Sequence, residues 1–218
     1  MVNIQKAAVI GCGFVGSTIA YTLMQKGLFS EMVLLDANKA KAEGEAMDIS
    51  HGLPFTHAMD IYAGEYEDIA DASVVIITAG ANQKPGETRL DLVQKNAAIM
   101  RSIIKEIKRV NCEGILLIVS NPVDILTEVA LRESGFPKER VIGSGTVLDT
   151  ARLKYIISEK LDVDSRNVHA FIVGEHGDSE LAAWSCANIY GIKLQDFAKM
   201  RGYEHFAQDM EEVYEGVR

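Results

Sequence analysis

A histidine at the end of an apolar run occupies a position suited to acid–base chemistry. Residues 172–179 read IVGEHGDS, with His176 between Gly174 and Gly177. The apolar run 171–173 predicts a buried strand, and glycine permits a sharp backbone turn at its end. An imidazole titrates near neutral pH, so a ring held there can donate and accept a proton. A turn with an incidental polar residue is the commoner explanation of such a stretch.

Asp149 and Arg152 form a second group of polar residues. They lie three residues apart in GTVLDTARLK, which places them on one face of a predicted helix. A carboxylate and a guanidinium at this spacing usually form a surface ion pair. The apolar neighbours Leu148, Ala151 and Leu153 argue against a freely solvated helix. Asp149 and Arg152 are therefore candidate site residues, with the surface ion pair as the alternative.

Two further polar residues adjoin predicted strand ends or loops. Asn121, in SNPVD, follows a predicted strand at 114–120, and open α/β sheets bind ligands at the carboxyl ends of their strands. An asparagine in an Asn-Pro turn before a helix explains the same residue equally well. Arg89 ends the loop 79–89, which is rich in glycine, proline and charge, and its default interpretation is a solvated loop charge.

The motif GCGFVG predicts a dinucleotide-binding turn. Gly11, Gly13 and Gly16 have GxGxxG spacing after a strand and before a helix, with Phe14 and Val15 completing the turn. The first glycine allows the turn, the second lets a pyrophosphate approach the backbone, and the third lets helix and strand pack closely. The helix N-terminus then attracts the phosphates.

Asp36 supports the same prediction. It lies twenty residues after Gly16, at the end of the second predicted strand. A carboxylate there accepts hydrogen bonds from the adenine-ribose hydroxyls and repels a 2′-phosphate, so the expected cofactor is NAD. The alternative is a packing turn of glycines with a surface aspartate.

Alternating strands and helices position these residues. They predict an α/β fold, a Rossmann-type doubly wound parallel sheet over residues 1–143. From residue 144 the pattern loosens into a helix, short strands and a further helix, so we expect a domain boundary there. The expected strands are 7–11, 31–36, 59–64, 73–80, 114–120 and 140–145; the expected helices are 16–27, 38–50, 88–110, 123–134 and 148–161; and short strands are expected near 167–173 and 182–190.

Composition restricts the class of protein. The 218 residues carry a net charge of −9, which argues against a general nucleic-acid or anionic-membrane surface. Cys12, Cys112 and Cys186 are too widely spaced for a disulfide framework or a zinc site. No apolar run approaches the ~18 residues of a membrane span, and no signal peptide fits before the first strand. We therefore expect a cytoplasmic protein with reduced thiols and no metal.

The last residues show helical periodicity. Met210, Val213, Tyr214 and Val217 fall on one face of a predicted helix. No stop signal follows them, so we expect the chain to be part of a longer protein.

Five motifs together resemble the lactate/malate dehydrogenase family, and the bacterial lactate-specific members most of all. The resemblance covers essentially the whole chain and implies reversible hydride transfer between NADH and pyruvate to give L-lactate, a reaction of glycolysis and fermentation. Family chains are longer, so residues 144–218 are expected to be part of an α+β substrate domain. The motifs, in the family's order, are GCGFVGSTIAY, AGANQKPGETRLDL, SNPVD, GSGTVLDTARL and GEHGDSE.

The resemblance assigns roles to the candidate residues. His176 transfers the proton, and Asp149 fixes its tautomer and stabilises the imidazolium. Arg152 holds the substrate carboxylate in a bidentate fork. Arg89, carried by a closing loop, polarises the carbonyl. Asn121 donates a hydrogen bond to the same oxygen or lies against the nicotinamide.

Gln83 indicates which substrate is expected. Malate-specific members have an arginine at this loop position, which pairs with the second carboxylate of oxaloacetate. Neutral glutamine would leave that charge unpaired in a closed site, which favours pyruvate. The alternatives are another NAD-dependent 2-hydroxy-acid dehydrogenase of the malate-like kind, and an inactive NAD-binding fragment if the protein ends at residue 218.

The resemblance also implies assembly and regulation. The family's lactate-specific enzymes are expected to form homotetramers, and some bacterial members are allosteric, binding fructose bisphosphate at a subunit interface. They use a basic residue two places after the carboxylate-binding arginine and a histidine seven places before the catalytic one. Those positions hold Lys154 and His169 here. The first is usually arginine, and lysine lacks its bidentate fork.

Overall fold

The computed structural model of the chain describes residues 1–82 and 86–217. It forms two compact units, Met1–Gly143 and Ser144–Arg218. In the first unit the strands are β1 (Asn3–Ile10), β2 (Glu31–Leu35), β3 (Asp60–Ala63), β4 (Ala72–Ile77), β5 (Ile115–Ile118) and β6 (Val141–Gly143), and the helices are α1 (Phe14–Lys26), α2 (Lys39–Ser50), α3 (Arg89–Arg109) and α4 (Val123–Ser134).

The six strands of the first unit form one parallel sheet. Their order is β3-β2-β1-β4-β5-β6, and every neighbouring pair is parallel. This order reverses direction between β1 and β4, which is the position where doubly wound sheets bind ligands. The predicted α/β fold with a Rossmann-type sheet is therefore confirmed.

Alternating strand residues divide the core of the first unit into two layers. Successive side chains of a strand point to opposite faces of the sheet, so a sheet covered on both faces has continuous apolar strands. On one face the strands pack with α3 and α4, through Ala8, Ile10, Val33, Leu35, Val75, Ile77, Met100, Ile104, Ile107 and Leu126. On the other they pack with α1 and α2, through Val9, Met32, Leu34, Ile76, Ala20, Met24, Ala42 and Ile49.

The second unit combines helices with short antiparallel strands. One sheet has the order β11-β10-β7, and β8 pairs with β9 alone. Its core includes Leu153, Ile157, Val168, Ile172, Ile189, Phe197, Met210 and Val213. The elements are α5 (Val147–Leu161), β7 (Val168–His169), β8 (Ile172–Val173), β9 (Leu181–Ala182), β10 (Asn188–Ile189), β11 (Ile192–Lys193), α6 (Leu194–Met200) and α7 (Phe206–Glu215).

The structure corrects the predicted buried strand before His176. Within 171–173, Ile172 is buried, but Phe171 is 51% exposed and Val173 is 44% exposed. β8 has only two residues and its partner β9 is equally short, so a single side chain of the run enters the core.

Two further expectations from the sequence concern membrane-spanning helices and the state of the cysteines. No helix in residues 1–82 and 86–217 is long and apolar enough to cross a membrane. All three cysteines are free thiols, and Cys12 and Cys112 are buried. Burial, together with the charge of Asp36, raises the pKa of Cys12 to about 11, so this thiol stays protonated at neutral pH.

A buried lysine forms two ion pairs that connect three strands near their amino-terminal ends. Lys6 of β1 contacts Glu31 of β2 at 2.9 Å and Asp71, which precedes β4, at 3.0 Å. Burial lowers the pKa of Lys6, but the hydrogen bonds to the two carboxylates outweigh it and the net pKa is raised. Tyr62 donates a hydrogen bond to Glu31 at 2.8 Å, and its own pKa is raised to about 12 by burial and by that bond.

We expect Lys6→Met to lower the free energy of unfolding by about 3 kcal/mol, because two carboxylates would face each other without their cation. Urea unfolding followed by far-UV circular dichroism measures the change. Lys138→Met, at an exposed lysine of the same unit, is the matched control and should change stability by less than about 0.5 kcal/mol. Equal midpoints for the two variants would contradict the assignment.

Candidate active site

The glycine turn has the geometry that its spacing predicts. Gly11 has a φ of +104°, and a Cβ there would lie 2.6 Å from the backbone nitrogen of Ala79. A Cβ on Gly16 would lie 1.8 Å from the carbonyl oxygen of Gly11, so helix and strand approach too closely for a side chain. A Cβ on Gly13 would meet nothing within 4 Å, because this residue faces an open cleft. The backbone is therefore exposed to a ligand at Gly13.

The N-terminus of α1 opens onto the same cleft. Its N-cap is Gly13, which has no side chain to occupy the first amide groups, and no acidic residue lies in the first turn. Phe14 is 96% exposed and Val15 is 54% exposed, and both line the cleft. Unoccupied amides at a helix N-terminus favour a phosphate.

Two backbone amides hold the side chain of Asp36 in place. Its Oδ2 accepts a hydrogen bond from the amide of Cys12 at 2.7 Å, and its Oδ1 accepts one from the amide of Asn38 at 2.9 Å. Each carboxylate oxygen retains acceptor capacity for a ligand hydroxyl. The cleft lined by the glycine turn and Asp36 has a volume of about 1180 Å³, which is ample for a dinucleotide. These residues fit NAD.

Two polar residues that the sequence did not single out stabilise the surroundings of this cleft. Thr78, just after β4, donates its hydroxyl to the carbonyl oxygen of Gly11 at 2.7 Å. Asn96 of α3 is buried; its amide accepts from the backbone of Ala81 at 2.8 Å and donates to the carbonyl oxygen of Asn121 at 2.9 Å. A polar residue on the apolar face of an amphipathic helix was the available signal for Asn96.

The remaining predicted residues of the first unit are near chain turns. Asn121 is exposed, between β5 and α4, and the peptide bond before Pro122 is cis. Arg89 was expected in the loop, but it is the first residue of α3, because Thr88 and Asp91 form a capping box that begins the helix there. Gln83 lies outside the described residues.

His176 and Asp149 are brought together in the second unit. The Nδ1 atom of His176 lies 2.6 Å from the Oδ2 atom of Asp149. The Asp149 side chain is only 3% exposed, whereas that of His176 is 27% exposed. A buried carboxylate against Nδ1 selects the tautomer that carries its proton there, which directs Nε2 toward any substrate.

Hydrogen bonds between α5 and β8 fix this pair. Thr146 donates its hydroxyl to the carbonyl oxygen of Ile172 at 2.8 Å, and the amide of Ile172 donates to the hydroxyl of Thr150 at 3.0 Å. Thr146 is the N-cap of α5 and Thr150 lies within the helix, with Asp149 between them, and His176 follows Ile172 by four residues. The helix that carries the carboxylate thus also holds the strand that precedes the ring.

The turn around His176 requires its glycines. Gly174 and Gly177 have φ values of +102° and +128°, which other residues rarely adopt. The turn ends at the buried Glu180, whose Oε2 lies 3.9 Å from the Nδ1 atom of His176 and 3.4 Å from the amide of Gly177. Tyr214 of α7 donates its hydroxyl to the carbonyl oxygen of Glu180. Glu180 is thus a second carboxylate beside the ring that the sequence did not single out.

Asp149, His176 and Glu180 also have the composition of a metal site, with ligand atoms within 4.8 Å of one another. The geometry favours a hydrogen bond instead. Two ligands of one zinc ion lie about 3 Å or more apart, because each bond to the metal is about 2 Å long. The 2.6 Å between Asp149 and His176 is too short for a shared ion and suits a charge-assisted hydrogen bond.

Arg152 extends the group toward solvent. Its Nη1 lies 3.3 Å from the Oδ1 atom of Asp149, and its side chain is 49% exposed. The apolar neighbours of this pair are only partly shielded from solvent, contrary to expectation: Leu153 is buried, but Leu148 is 56% exposed and Ala151 is exposed. The ion pair is nevertheless not an ordinary surface pair, since Asp149 is buried.

Lys154 and His169, the predicted bisphosphate-binding residues, lie in elements other than the turn around His176. Lys154 is a half-buried residue of α5. His169 is exposed on β7, opposite Asn188 of β10.

Comparison with known proteins accounts for both units. Residues 5–143 match the family model described as lactate/malate dehydrogenase, NAD binding domain, and residues 146–218 match lactate/malate dehydrogenase, alpha/beta C-terminal domain.

Relatives and solved structures agree with these matches. The chain is 60% identical over 194 residues to an L-lactate dehydrogenase of Acetivibrio thermocellus, a match that covers 89% of this chain and 61% of that protein. It is 54% identical over 214 residues to an L-lactate dehydrogenase of Priestia megaterium, covering 98% and 67%. The crystal structure of MGS-M5, a lactate dehydrogenase from a deep-sea metagenome library, matches with a TM-score of 0.95 and 52% identity, covering 100% of this chain and 69% of that one.

The chain thus spans about three fifths to two thirds of the length of these relatives. The resemblance carried by the five motifs is confirmed over both units, and the cleft with the glycine turn is that of an NAD-binding domain. The chain belongs to the lactate/malate dehydrogenase family.

Proposed function

We propose that the protein containing this chain is an NAD-dependent L-lactate dehydrogenase, which interconverts pyruvate and L-lactate. Residues 1–143 serve as the dinucleotide-binding domain, and residues 144–218 as part of the substrate domain. The relatives named L-lactate dehydrogenase support this activity. The observation that carries it is the buried carboxylate of Asp149 at 2.6 Å from the Nδ1 atom of His176.

The reaction needs a hydride at the carbonyl carbon of pyruvate and a proton at its oxygen. The bound reduced dinucleotide supplies the hydride. His176 donates the proton from Nε2, and Asp149 stabilises the imidazolium from which that proton leaves. In the direction of lactate oxidation the same nitrogen accepts the hydroxyl proton, so one residue serves both directions.

We assign the orientation of the substrate to Arg152, Arg89 and Asn121. Arg152 holds the substrate carboxylate through two parallel hydrogen bonds, which fixes the position of the carbonyl relative to His176. Arg89 polarises the carbonyl oxygen, and Asn121 donates to that oxygen or to the nicotinamide end of the cofactor. Asp36 favours NAD over its 2′-phosphorylated form.

Assembly, regulation and location complete the proposal. The protein forms a homotetramer and acts in fermentation in the cytoplasm, where its three cysteines stay reduced. Lys154 and His169 bind fructose bisphosphate where subunits meet. A two-fold interface presents each residue twice, so an anion between the copies relieves their mutual repulsion.

Asp149→Asn tests the central pair. We expect kcat for pyruvate reduction to fall by about 10³-fold or more, because asparagine neither stabilises the imidazolium nor favours the required tautomer. Stopped-flow and steady-state NADH oxidation measure this in the longest natural polypeptide that contains residues 1–218. Asp196→Asn, at an exposed aspartate of α6, is the control and should retain the parental kcat.

The same assay separates the rival interpretations. A purified protein that binds NADH but never oxidises it with pyruvate or oxaloacetate would support an NAD-binding fragment. A protein that prefers oxaloacetate would support a malate-like enzyme. An Asp149→Asn variant with undiminished kcat would contradict the proposed pair.

Gln83→Arg tests substrate selection. We expect the ratio of kcat/KM for oxaloacetate to that for pyruvate to rise by about 100-fold, which corresponds to about 3 kcal/mol for an ion pair shielded from water. Gln195→Arg, on the surface of α6, adds the same charge elsewhere and should leave the ratio unchanged. A ratio that rises equally in both variants, or in neither, would remove Gln83 from the substrate site.

Fructose bisphosphate tests the regulatory site. We expect it to lower the pyruvate concentration needed for half-maximal rate, because an anion between two copies of Lys154 and His169 favours the assembled state. Saturation curves with and without the bisphosphate measure the effect, which should be smaller in Lys154→Met. Superimposable curves with and without the bisphosphate would leave Lys154 and His169 without this role.

A further inference from the structure

The adenosine side of the cleft carries a second carboxylate in register with Asp36. β2 and β3 are parallel, with Leu34 opposite Ala63. Asp36 lies two residues after Leu34, and Glu65 lies two residues after Ala63. Both residues line the cleft. Adjacent strands therefore each present an acidic residue two positions after the paired residues Leu34 and Ala63.

Glu65 is held in place by local structure. The Asp68 carboxylate accepts a hydrogen bond from the amide of Glu65 at 2.8 Å, and the amide of Asp68 donates to the backbone carbonyl oxygen of Glu65 at 3.1 Å. This reciprocal capping begins a short 3-10 helix at Tyr66–Ile69. The carboxylate thus has a defined position at the rim of the cleft.

Glu65 also forms an ion pair with Lys39, the first residue of α2. Lys39 follows Asp36 by three residues and lines the same cleft. The hydrogen bond to Glu65 raises the pKa of Lys39, which therefore stays charged. Among the described residues that line the cleft, three are lysines, Lys39, Lys41 and Lys105, and six are acidic: Asp36, Glu43, Glu45, Glu65, Asp68 and Glu106.

We propose that Glu65 is a second specificity-determining residue, which selects against a 2′-phosphorylated dinucleotide by holding Lys39 in an ion pair and by adding its own negative charge. A lysine three residues beyond the ribose-binding carboxylate would otherwise be a cation for the 2′-phosphate. With its charge compensated by Glu65, Lys39 contributes little attraction, and the rim stays acidic. Asp36 excludes the phosphate directly, whereas Glu65 removes the cation that would bind it. The inference rests on the proposed use of this cleft for NAD.

The test measures binding and not turnover. NADH and NADPH are titrated separately into the longest natural polypeptide that contains residues 1–218, with nucleotide fluorescence as the signal, and the ratio of the two Kd values is compared among variants. Glu65→Gln keeps the backbone amide and carbonyl of residue 65 that bond to Asp68, so the local fold is retained while the charge is lost. We expect NADPH binding to tighten about tenfold relative to NADH, and the gain to shrink at about 0.5 M salt.

Three control variants separate the effect of the ion pair with Lys39 from the effect of the negative charge of Glu65 itself. Lys39→Met breaks the ion pair without providing a cation, and should give no gain for NADPH. Lys39→Met combined with Glu65→Gln should lose most of the tenfold gain. Glu43→Gln removes an equal charge from the same cleft; among the described residues Glu43 acts on Lys39 through its charge alone and forms no ion pair with it. It should change the ratio by about twofold or less.

The contrary results distinguish failure of this inference from failure of the proposed cofactor. An unchanged ratio in Glu65→Gln would overturn the proposal, as would an equal gain in Glu43→Gln or a gain that persists without Lys39. Failure of the parent chain to bind NADH would overturn both this inference and the proposed cofactor. Parental NADH binding with no response to Glu65→Gln would overturn the inference alone.

Discussion

The buried carboxylate of Asp149 constrains the second unit electrostatically. An ionised group that is 3% exposed is stable only when charged or hydrogen-bonded partners replace its water. His176 supplies one partner at 2.6 Å and Arg152 another at 3.3 Å. The polar side chains of Thr146 and Thr150 then hold the strand before His176 against the helix that carries Asp149. Pairing of this buried carboxylate therefore fixes the orientation of the ring to which we assign proton transfer.

The first unit achieves rigidity by a different means. Its strands are apolar on both faces, so each side of the sheet is covered by helices. The turn at Gly11 is then confined between β1 and β4, where Gly16 has no room for a side chain. The same packing that excludes a side chain at Gly16 exposes the backbone at Gly13. Ligand access is thus a consequence of how closely α1 packs on the sheet.

Much of this arrangement could be predicted from local sequence, because its determinants are local. The periodicity of the strands predicts the doubly wound sheet, and the spacing of Gly11, Gly13 and Gly16 predicts their separate roles. Contacts from distant parts of the chain could not be predicted in the same way. The amide of Cys12 on Asp36, and Tyr214 on the backbone of Glu180, join residues 24 and 34 positions apart. The exposure of Val173 likewise depends on the brevity of its partner strand, which no pattern within 171–173 encodes.

The acidic composition of the chain and the anionic charge of its cofactor present an apparent conflict, since a net charge of −9 repels phosphate at long range. The geometry of the cleft resolves it at short range. Backbone amides at the start of α1 act on the pyrophosphate without adding a cation, and they have no side-chain cap to compete with. Affinity and specificity can then be separated. In the proposed use of the cleft, the amides bind the group common to all dinucleotides, whereas Asp36 and the ion pair of Lys39 with Glu65 select the ribose. Because an ion pair cancels the field of a lysine more completely than distant carboxylates do, the local partners of each charge matter more for cofactor choice than the total charge of the protein.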